Sequence, residues 1–357
     1  QRVRIMKNGK VPENVLKRSV LRQIRTKREE VLNGAGVGVD CAVFSSCGRS
    51  TFLSCAQTAA VRSAAPAESA GEVTALTEPV YSTAIPPGQL ILRCTNNLAA
   101  AGAEPYAVTL AFMLPENAEE AELKSLMAEA EKACSGLNIQ IAGGQTCISS
   151  AVNQPVLTVT GYGKPIADGW QEHKKISPGQ DIVLSKWIGM EGTAILAGRA
   201  REGLLHRYPA YLVDEAVCLD RWMSVIPEAA TAVKSGVCAM HDVSEGGIFG
   251  ALWELAERMG AGLTIDLKKI PQRQETVEVC EYCNVNPYEL LSGGCLIMVT
   301  EDGAGLKAAL EAEKIPAAVI GKVTDSRDRI IYNEDEVRYM DRPKNDEIYR
   351  WLQEQKG

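Results

Sequence analysis

The sequence predicts an α/β protein made of two mixed domains, each with its own sheet and helices. Two observations lead to this fold class: the 357 residues are enough to bury two cores, and the pattern of strands and helices restarts halfway along the chain. A polar segment rich in Pro and Gly, 164–180, separates the two halves. The alternation is not the short-period βα repeat of a barrel.

The first half contains four strand-like segments and one long helix, and it begins with the short β-rich run "VGVDCAVF". "YAVTLAFML" and "PVLTVTGYG" indicate strands, and "IQIAGGQT" indicates a strand that runs into a glycine turn. The intervening stretch predicts a helix that begins after Pro115 and ends at Gly136. The second half restarts with the strand "DIVLSKW" and a helix near "MEGTAILAGRA", and it ends with the strands "CLIMVT" and "AAVIGKV" around the helix "GAGLKAALEAE".

From these patterns we divide the chain into four parts. They are an N-terminal helical extension, a first domain, a second domain and a C-terminal tail, at 1–35, 36–165, 175–340 and 341–357.

Charge and composition exclude several classes of protein. The net charge is −7 and no basic stripe is present, so nucleic acid is not an expected partner. The one basic cluster, Lys17 to Arg28, alternates with apolar residues and predicts a solvated helix face. No apolar run reaches the ~18 residues that a membrane span requires, and we expect no membrane association.

Eleven cysteines without a secretory signal predict reduced thiols and a cytoplasmic protein. Cys280 and Cys283 form a C-x-x-C in a helical stretch, but no second pair or nearby histidine completes a zinc set. We therefore interpret them as buried, inert cysteines.

Two adjacent asparagines, Asn96 and Asn97, interrupt the apolar run "LRCTNNLAAAGAEP". Leu90, Ile91, Cys94 and Leu98 recur at helical spacing, which predicts a buried helix that opens at "IPPGQ". A buried amide without a partner costs about 1–3 kcal/mol, so each asparagine should meet something specific.

Three glycine-rich turns are candidates for phosphate binding: "GAGVGVD", "AGGQT" and "HDVSEGG". The third opens a helix, and we predict Ser244 as its N-cap with the amides of Gly246 and Gly247 at the helix start. Free N–H groups and the helix dipole attract anions at such a terminus. Each turn alone is also explained by tight chain reversal, but the three together favour a phosphate site.

These motifs occur in an order that resembles the aminoimidazole ribonucleotide (AIR) synthase superfamily. That superfamily includes the hydrogenase-maturation factor HypE, thiamine-monophosphate kinase and selenophosphate synthetase. The matching segments are "GVGVDCAVF", "TNNLAAAGAEP", "AGGQT" and "MHDVSEGGIFGALWELAE", and the resemblance covers about 30–340. The opening "GKVPENVLKRSV" and the stretch "ALWELAERMGAGLTIDLKKIPQRQETVEVC" are most similar to the HypE-like branch.

The resemblance implies a two-domain AIR-synthase-like fold. It implies an N-terminal mixed-sheet domain that forms a homodimer, an ATP-binding groove near the dimer interface, and a C-terminal α/β domain that closes over the groove. The implied ligands are ATP or another phosphorylated small molecule with Mg²⁺, and the implied protein partner is another maturation-type protein.

The site residues that the resemblance implies fall into three groups. The metal would be held by Asp40 and Glu78. The nucleotide or its phosphates would contact Asp40, Asn97, Gly143, Gly144, Gln145 and Thr146, and the substrate or its phosphate would contact Asp242, Glu245, Gly246 and Gly247. Asp242 and His241 are the catalytic candidates, although a histidine that ends a strand is more often structural.

The chain departs from the family where carboxylates are expected. Val39, Asn97 and Gln145 stand at aspartate positions, which predicts a site of reduced Mg²⁺ affinity or one kept only for packing. HypE carries its carbamoyl group on a C-terminal cysteine, whereas the last cysteine here is Cys295, so we do not expect that tail chemistry. Two functions remain open: ATP-dependent phosphorylation of an oxygen followed by displacement or dehydration, and a non-catalytic binding or scaffold homodimer.

Overall fold

The computed structural model describes residues 13–19, 21–24, 31–33, 36–46, 50–62, 85–167 and 176–355. These residues form two mixed sheets, one on each side of the polar segment that the sequence indicated. The predicted α/β class is confirmed. No helix in the described part of the chain is long and apolar enough to cross a membrane.

The first sheet has six strands in the order β1-β2-β3-β6-β4-β5, and only β4 and β5 pair in parallel. Its strands are β1 Val31–Asn33, β2 Ala42–Ser46, β3 Ser50–Ala60, β4 Ala103–Leu114, β5 Gln140–Ile148 and β6 Val156–Pro165. Two helices, α2 Pro87–Ala100 and α3 Glu120–Gly136, bury their apolar faces against one side of this sheet. A short helix, α1 Glu13–Ser19, precedes the sheet.

The second sheet has seven strands in the order β13-β12-β9-β11-β7-β10-β8. Its strands are β7 Asp181–Ser185, β8 Ala239–Val243, β9 Gly262–Asp266, β10 Cys295–Thr300, β11 Ala317–Thr324, β12 Arg329–Asn333 and β13 Glu336–Tyr339. The helices are α4 Met190–Arg199, α5 Arg201–Arg207, α6 Ala210–Val217, α7 Ile226–Lys234, α8 Gly247–Met259, α9 Gln274–Cys283, α10 Gly303–Ala312 and α11 Glu347–Glu354. Strands β7, β8 and β10 are almost wholly buried, as their continuous apolar runs require.

Helix α2 forms as predicted, and it explains one of the two asparagines. Pro87 occupies the first turn, where its missing N–H costs nothing, and the apolar stripe faces the core. Asn96 is buried and reaches the second half of the chain. Its Nδ2 donates to Met223 O at 2.7 Å, and its Oδ1 accepts from Val225 N at 2.9 Å. Asn96 therefore ties α2 to the loop before α7 by two hydrogen bonds.

The interpretation of the C-x-x-C is confirmed. Cys280 and Cys283 lie in α9 with exposed fractions of 2 % and 6 %, inside a cluster of apolar side chains. Burial raises the pKa of Cys280 to about 12 and that of Cys283 to about 11, so both thiols stay protonated.

Two local expectations at the N-terminal end differ from the structure. The basic cluster does not form one helix among the described residues, because α1 ends at Ser19 and only a short 3₁₀ turn, Leu21–Gln23, follows. The extension that we expected to be helical also contains β1, which pairs with β2. Helix α1 instead contacts α8, where Lys17 Nζ lies 3.0 Å from Glu257 and Glu13 accepts from Trp253 Nε1 at 2.9 Å.

Candidate functional site

The predicted residues Asp40 and His241 meet in a buried ionic cluster. His241 lies on β8, and its Nδ1 is 2.9 Å from Asp40 Oδ2 while its Nε2 is 3.2 Å from Glu254 Oε2. Arg258 Nη1 approaches the same Asp40 oxygen at 3.3 Å. Asp40 precedes β2 in the glycine-rich segment, and Glu254 and Arg258 lie one turn apart on α8. The cluster therefore joins the start of the first sheet to a helix of the second half.

The charge state of His241 follows from this geometry. Burial alone would lower its pKa, but the attraction and hydrogen bonds of Asp40 and Glu254 outweigh burial and raise the pKa to about 10. With a carboxylate on each ring nitrogen, both nitrogens act as donors, and the ring is an imidazolium at neutral pH. Such a ring has no free lone pair for a metal or for accepting a proton. The arrangement favours a structural role over the acid–base role that we considered.

Asn97 lies beside Asp242, the second predicted carboxylate. Its amide orientation is assigned from its neighbours: the nitrogen then donates to Asp242 Oδ2 at 3.1 Å, to Asp242 Oδ1 at 3.2 Å and to Arg93 O at 3.3 Å. The amide oxygen accepts from Gln57 Nε2 at 2.8 Å. A chain of side chains therefore runs from Asp242 through Asn97 to Gln57 on β3.

The residues of this cluster fit Mg²⁺ poorly. Ligand atoms of Asp40, His241 and Asp242 lie within 4.8 Å of one another, the one such group found in the described part of the chain. However, His241 has no lone pair to offer, and Asp40 already binds two cationic side chains. Asp242 receives N–H groups from Asn97, where Mg²⁺ would require an oxygen ligand or open space. The other predicted ligand, Glu78, lies outside the described residues.

The second glycine motif lies elsewhere. Gly143, Gly144, Gln145 and Thr146 are inside β5, which continues to Ile148, so the glycine turn that we expected does not form. Gly144 has φ +149°, and a Cβ there would lie 1.8 Å from Leu110 O, so close strand pairing explains this glycine.

Sheet register separates Gln145 from the Asp242 cluster. Gln145 pairs with Ala111, which pairs with Thr158, which pairs with Thr58. Gln57 is one residue before Thr58 and therefore faces the opposite side of the sheet, toward α2. Three strand spacings of about 4.8 Å also separate β5 from β3. Within one chain, the structure does not bring Gln145 to Asn97.

The third glycine motif contacts a carboxylate of the protein itself, the side chain of Asp346. Helix α8 begins at Gly247 with Gly246 as its N-cap at φ +91°, so Ser244 is not the cap that we predicted. The Gly246 N–H donates to Asp346 Oδ2 at 2.7 Å. Asp346 Oδ1 accepts from Leu291 N at 3.2 Å and from Ile348 N at 2.9 Å.

Burial raises the pKa of Asp346 to about 7, against the lowering effect of these three N–H groups. Near neutral pH, part of the population therefore carries a negative charge at the start of α8.

A groove of about 1140 Å³ opens between the first sheet and the helices of the second half. Its polar lining includes Gln57, Arg62, Gln89, Arg93, Glu245 and Tyr349, together with Arg199, Glu202, Asp220 and Glu354. Arg93 crosses from α2 to α4, where its Nε and Nη2 lie 2.8 Å and 2.7 Å from Oε1 of the buried Glu191. Because Gln57 also hydrogen-bonds Asn97, the Asp242 cluster lies behind one wall of this groove.

Three residues of the candidate site, Gln57, Arg93 and Asp346, were not identified from the sequence. Gln57 is a lone amide in the strand "SCAQTAA", and Arg93 is a single cation on an apolar helix; both patterns were visible but matched no motif. Asp346 precedes the amphipathic stretch "EIYRWLQE", a typical N-cap position. Nothing in the sequence indicated that its second oxygen would reach α8, a hundred residues away.

Known proteins resemble this chain in both sequence and fold. The profile for the N-terminal domain of AIR synthase related proteins matches residues 72–164, and the profile for the C-terminal domain matches 177–333. The chain belongs to the AIR synthase related family. The HypE-like branch is supported by the carbamoyl dehydratase HypE of Rhodobacter capsulatus, 28 % identical over 233 residues, which are 64 % of this chain and 66 % of HypE.

Solved structures of this family share the fold. The hydrogenase maturation protein HypE in complex with ATP has a TM-score of 0.66 and 19 % identity, over 94 % of this chain and 96 % of that one. A HypE–HypF complex gives a TM-score of 0.66 and 20 % identity, over 86 % and 94 %. Across three curated relatives, the matched part spans 58, 59 and 66 % of the relative's own length.

Proposed function

We propose that the groove binds ATP or a closely related phosphorylated small molecule, and that the chain uses ATP to phosphorylate a substrate oxygen before displacement or dehydration. One observation carries the proposal: Asp242, Asn97 and Gln57, from three separate elements, form a hydrogen-bonded line that ends in a large groove containing Arg93. The AIR synthase related family and its HypE-like branch support the choice of ATP.

Three arginines, Arg62, Arg93 and Arg199, line the groove together with the carboxylates Glu202, Asp220, Glu245 and Glu354. We propose that the anionic ligand binds at the donors beside Gln57. Gln57 and Arg93 present N–H groups, and Arg93 remains cationic because the attraction of Glu191 raises its pKa against the lowering effect of burial. In phosphoryl transfer the protein mainly positions groups and neutralises charge, which such donors can do. We propose that Mg²⁺ contributes only weakly to ligand binding, because Asp40 and Asp242 already have partners.

The same proposal includes a homodimer formed through the first sheet. Strand β5 lies at the edge of that sheet, and the side of the sheet away from α2 exposes residues such as Met113 and Gln145. An exposed strand edge is a template for pairing with another chain. A second copy would cover this side and give Gln145 a partner. A further protein of the maturation type is the other partner we propose, by analogy with the HypE–HypF complex.

Ligand-dependent stability tests the proposal. We expect ATP to raise the melting temperature, with about 2.7 kcal/mol of stabilisation at ~100 times its Kd, and we expect added Mg²⁺ to change this little. Gln57→Ala should weaken ATP binding about tenfold in calorimetric titration, since it loses one charge-assisted hydrogen bond. Gln140→Ala, an exposed glutamine on β5, is the matched control and should bind normally. If ATP does not change the melting temperature of the unaltered protein, the proposal is wrong.

A second function is favoured by the state of Asp40. Because Asp40 is paired with His241 and Arg258, the carboxylate expected at the metal serves to join two elements. A protein that binds nucleotide as a homodimer without turnover is consistent with this geometry. Tight ATP binding without ADP release, over hours and with acceptor candidates present, would select this second function; ADP release proportional to enzyme would select the first.

A further inference from the structure

Three cysteine side chains from separate segments of the first half lie together on the helix side of the first sheet. Cys94 lies in α2 and is buried, Cys55 lies in β3 and is half-buried, and Cys41 lies just before β2. The Sγ atoms of Cys55 and Cys94 are 3.5 Å apart. Cys55 Sγ also donates to Cys94 O at 3.1 Å, and Cys94 Sγ lies 3.7 Å from Cys55 O. The two thiols therefore span the contact between β3 and α2.

Gly161 of β6 leaves the space in which these two sulfur atoms meet. It lies directly opposite Cys55 in the pairing of β3 with β6, and a Cβ at this position would be 2.8 Å from Cys94 Sγ. Gly161 has no positive φ, so its own backbone does not require glycine, whereas the close approach of Cys94 does. The sheet therefore has room for two adjacent thiols here.

The positions of Cys55 and Cys94 are close to those that a disulfide requires. An S–S bond is about 2.05 Å long, so the two sulfur atoms must approach by about 1.5 Å, which is within the reach of side-chain rotation. Cys41 is the alternative partner, because its thiol also interacts with Cys55. We take Cys94 as the partner because each sulfur already lies against the carbonyl group of the other residue.

We propose that Cys55 and Cys94 are an oxidisable pair, which a small hydroperoxide converts into a disulfide that joins β3 to α2. The Cys55 sulfur loses its proton and attacks one peroxide oxygen; the O–O bond breaks, giving a sulfenic acid and an alcohol that takes up the proton. The Cys94 sulfur then attacks the Cys55 sulfur, and the S–O bond breaks with loss of water. Two thiols and one hydroperoxide thus give one disulfide, one alcohol and one water.

The surroundings of the two thiols determine which reacts first and how fast. Cys94 is 0 % exposed, so the half-buried Cys55 meets the oxidant first. The hydrogen bond with Cys41 raises the pKa of Cys55, and the hydrogen bond with Cys55, together with burial, raises the pKa of Cys94. Both thiols are therefore protonated at neutral pH. Because the thiolate is the nucleophile, the pair responds to an excess of peroxide and not to a trace of it.

The disulfide would fix the spacing of two elements that carry groove residues. Gln57 follows Cys55 by two positions and lies on the same side of β3, and Arg93 precedes Cys94 on α2. The two cysteines are 39 positions apart, so the bond also closes a loop in the unfolded chain and stabilises the folded state. The thiol chemistry requires no ligand in the groove and does not depend on the proposed function.

Peptide mapping after peroxide treatment tests the pair directly. The folded protein is treated with millimolar hydrogen peroxide, the free thiols are alkylated, and linked peptides are identified by mass spectrometry with and without dithiothreitol. We expect a linked pair of peptides that contains Cys55 and Cys94 and that separates on reduction. Cys147→Ser removes another half-buried cysteine, on β5, and is the matched control that should give the same linked pair.

The melting temperature gives a second readout. After peroxide treatment, the melting temperatures of the unaltered protein and of Cys147→Ser should exceed those of the reduced proteins by about 5 °C. Cys55→Ser, which cannot form the bond, should show no such rise. Cys55 and Cys94 that stay free in peroxide, or a disulfide between Cys41 and Cys55 in their place, would overturn the proposal, and so would an equal rise in Cys55→Ser. ATP is absent from both measurements, so failure of ATP binding leaves their outcome unchanged.

Discussion

The amide nitrogen of Asn97 lies 3.1 Å from Oδ2 of Asp242, so a neutral donor stands where a second carboxylate would face the first. Asn97→Asp replaces attraction by repulsion between two carboxylates and should lower the free energy of unfolding by roughly 2–4 kcal/mol without metal. Millimolar Mg²⁺ should restore part of this loss, because a cation between the carboxylates offsets their repulsion. Chemical denaturation with and without Mg²⁺ measures both effects.

Gln145→Asp is the matched control for that substitution. It adds the same charge at another of the three positions where the family has aspartate, but on the opposite side of the sheet and on an exposed residue. Its stability should stay within about 0.5 kcal/mol of the parent and should not respond to Mg²⁺. A Mg²⁺ response of Gln145→Asp equal to that of Asn97→Asp would contradict the separation of the two residues.

Asn96 should matter for stability and not for ligand binding. Asn96→Ala leaves Met223 O and Val225 N without partners inside the protein, which should cost about 2–4 kcal/mol of unfolding free energy. Asn153→Ala, at an exposed asparagine of the same half, should cost less than about 0.5 kcal/mol. Urea denaturation of the two variants checks this; equal stabilities would mean that water replaces the Asn96 contacts.

Because His241 is charged in the folded protein, the free energy of unfolding should fall as the pH rises above neutral. Its folded pKa, about 10, exceeds the ordinary value of 6.5, so its stabilising effect is complete below pH 6.5 and is lost as pH rises toward 10. Between pH 7.5 and 9.5 the unaltered protein should lose about 1 kcal/mol of unfolding free energy per pH unit more than His241→Gln, which cannot carry the charge. Parallel stability curves for the two proteins would show that His241 is neutral. Cysteine titration affects both proteins alike and cancels in the difference.

Two neighbouring glycines of β5 should respond in opposite ways to the same substitution. Gly144→Ala places a methyl group against Leu110 O and should cost at least about 2 kcal/mol, because backbone must move. Gly143→Ala meets nothing within 4 Å and should be neutral or slightly stabilising. The melting temperatures of the two variants test this difference in stability. If Gly143→Ala instead abolishes ATP binding in a folded protein, the phosphate role predicted for this segment stands.

Local sequence patterns predicted most secondary elements and part of the site. The apolar spacing around Asn96 and Asn97 gave α2, and the continuous apolar runs gave β7 and β10, because burial alone determines those patterns. The glycines of "AGGQT" were misread as a turn, since a glycine required by close strand pairing looks the same in sequence as one required by a turn.

The partners of the site residues were beyond sequence reasoning for a different reason. Asp40 and Asp242 were both identified, but their environments depend on contacts across long stretches of chain. His241 Nε2 reaches Glu254, and Asp346 reaches Gly246; neither pair shares a motif. An aspartate that binds a metal ion and one that pairs with an arginine cannot be told apart in a sequence, because only the fold shows which partner is near.

The hydrogen bonds and ion pairs between the first and second halves of the chain have a consequence for the cooperativity of unfolding. Asn96 in α2 bonds the loop at Met223, and Asp40 before β2 bonds His241 and Arg258, so two separate segments of the first half are anchored in the second. A fragment that begins at 176 would lose Asp40 as a partner of His241 and Arg258 and would lose Asn96 as a partner of two backbone groups, and it would not be an autonomous folding unit. Calorimetry of the whole chain should therefore show one heat-absorption peak, with both sheets lost together.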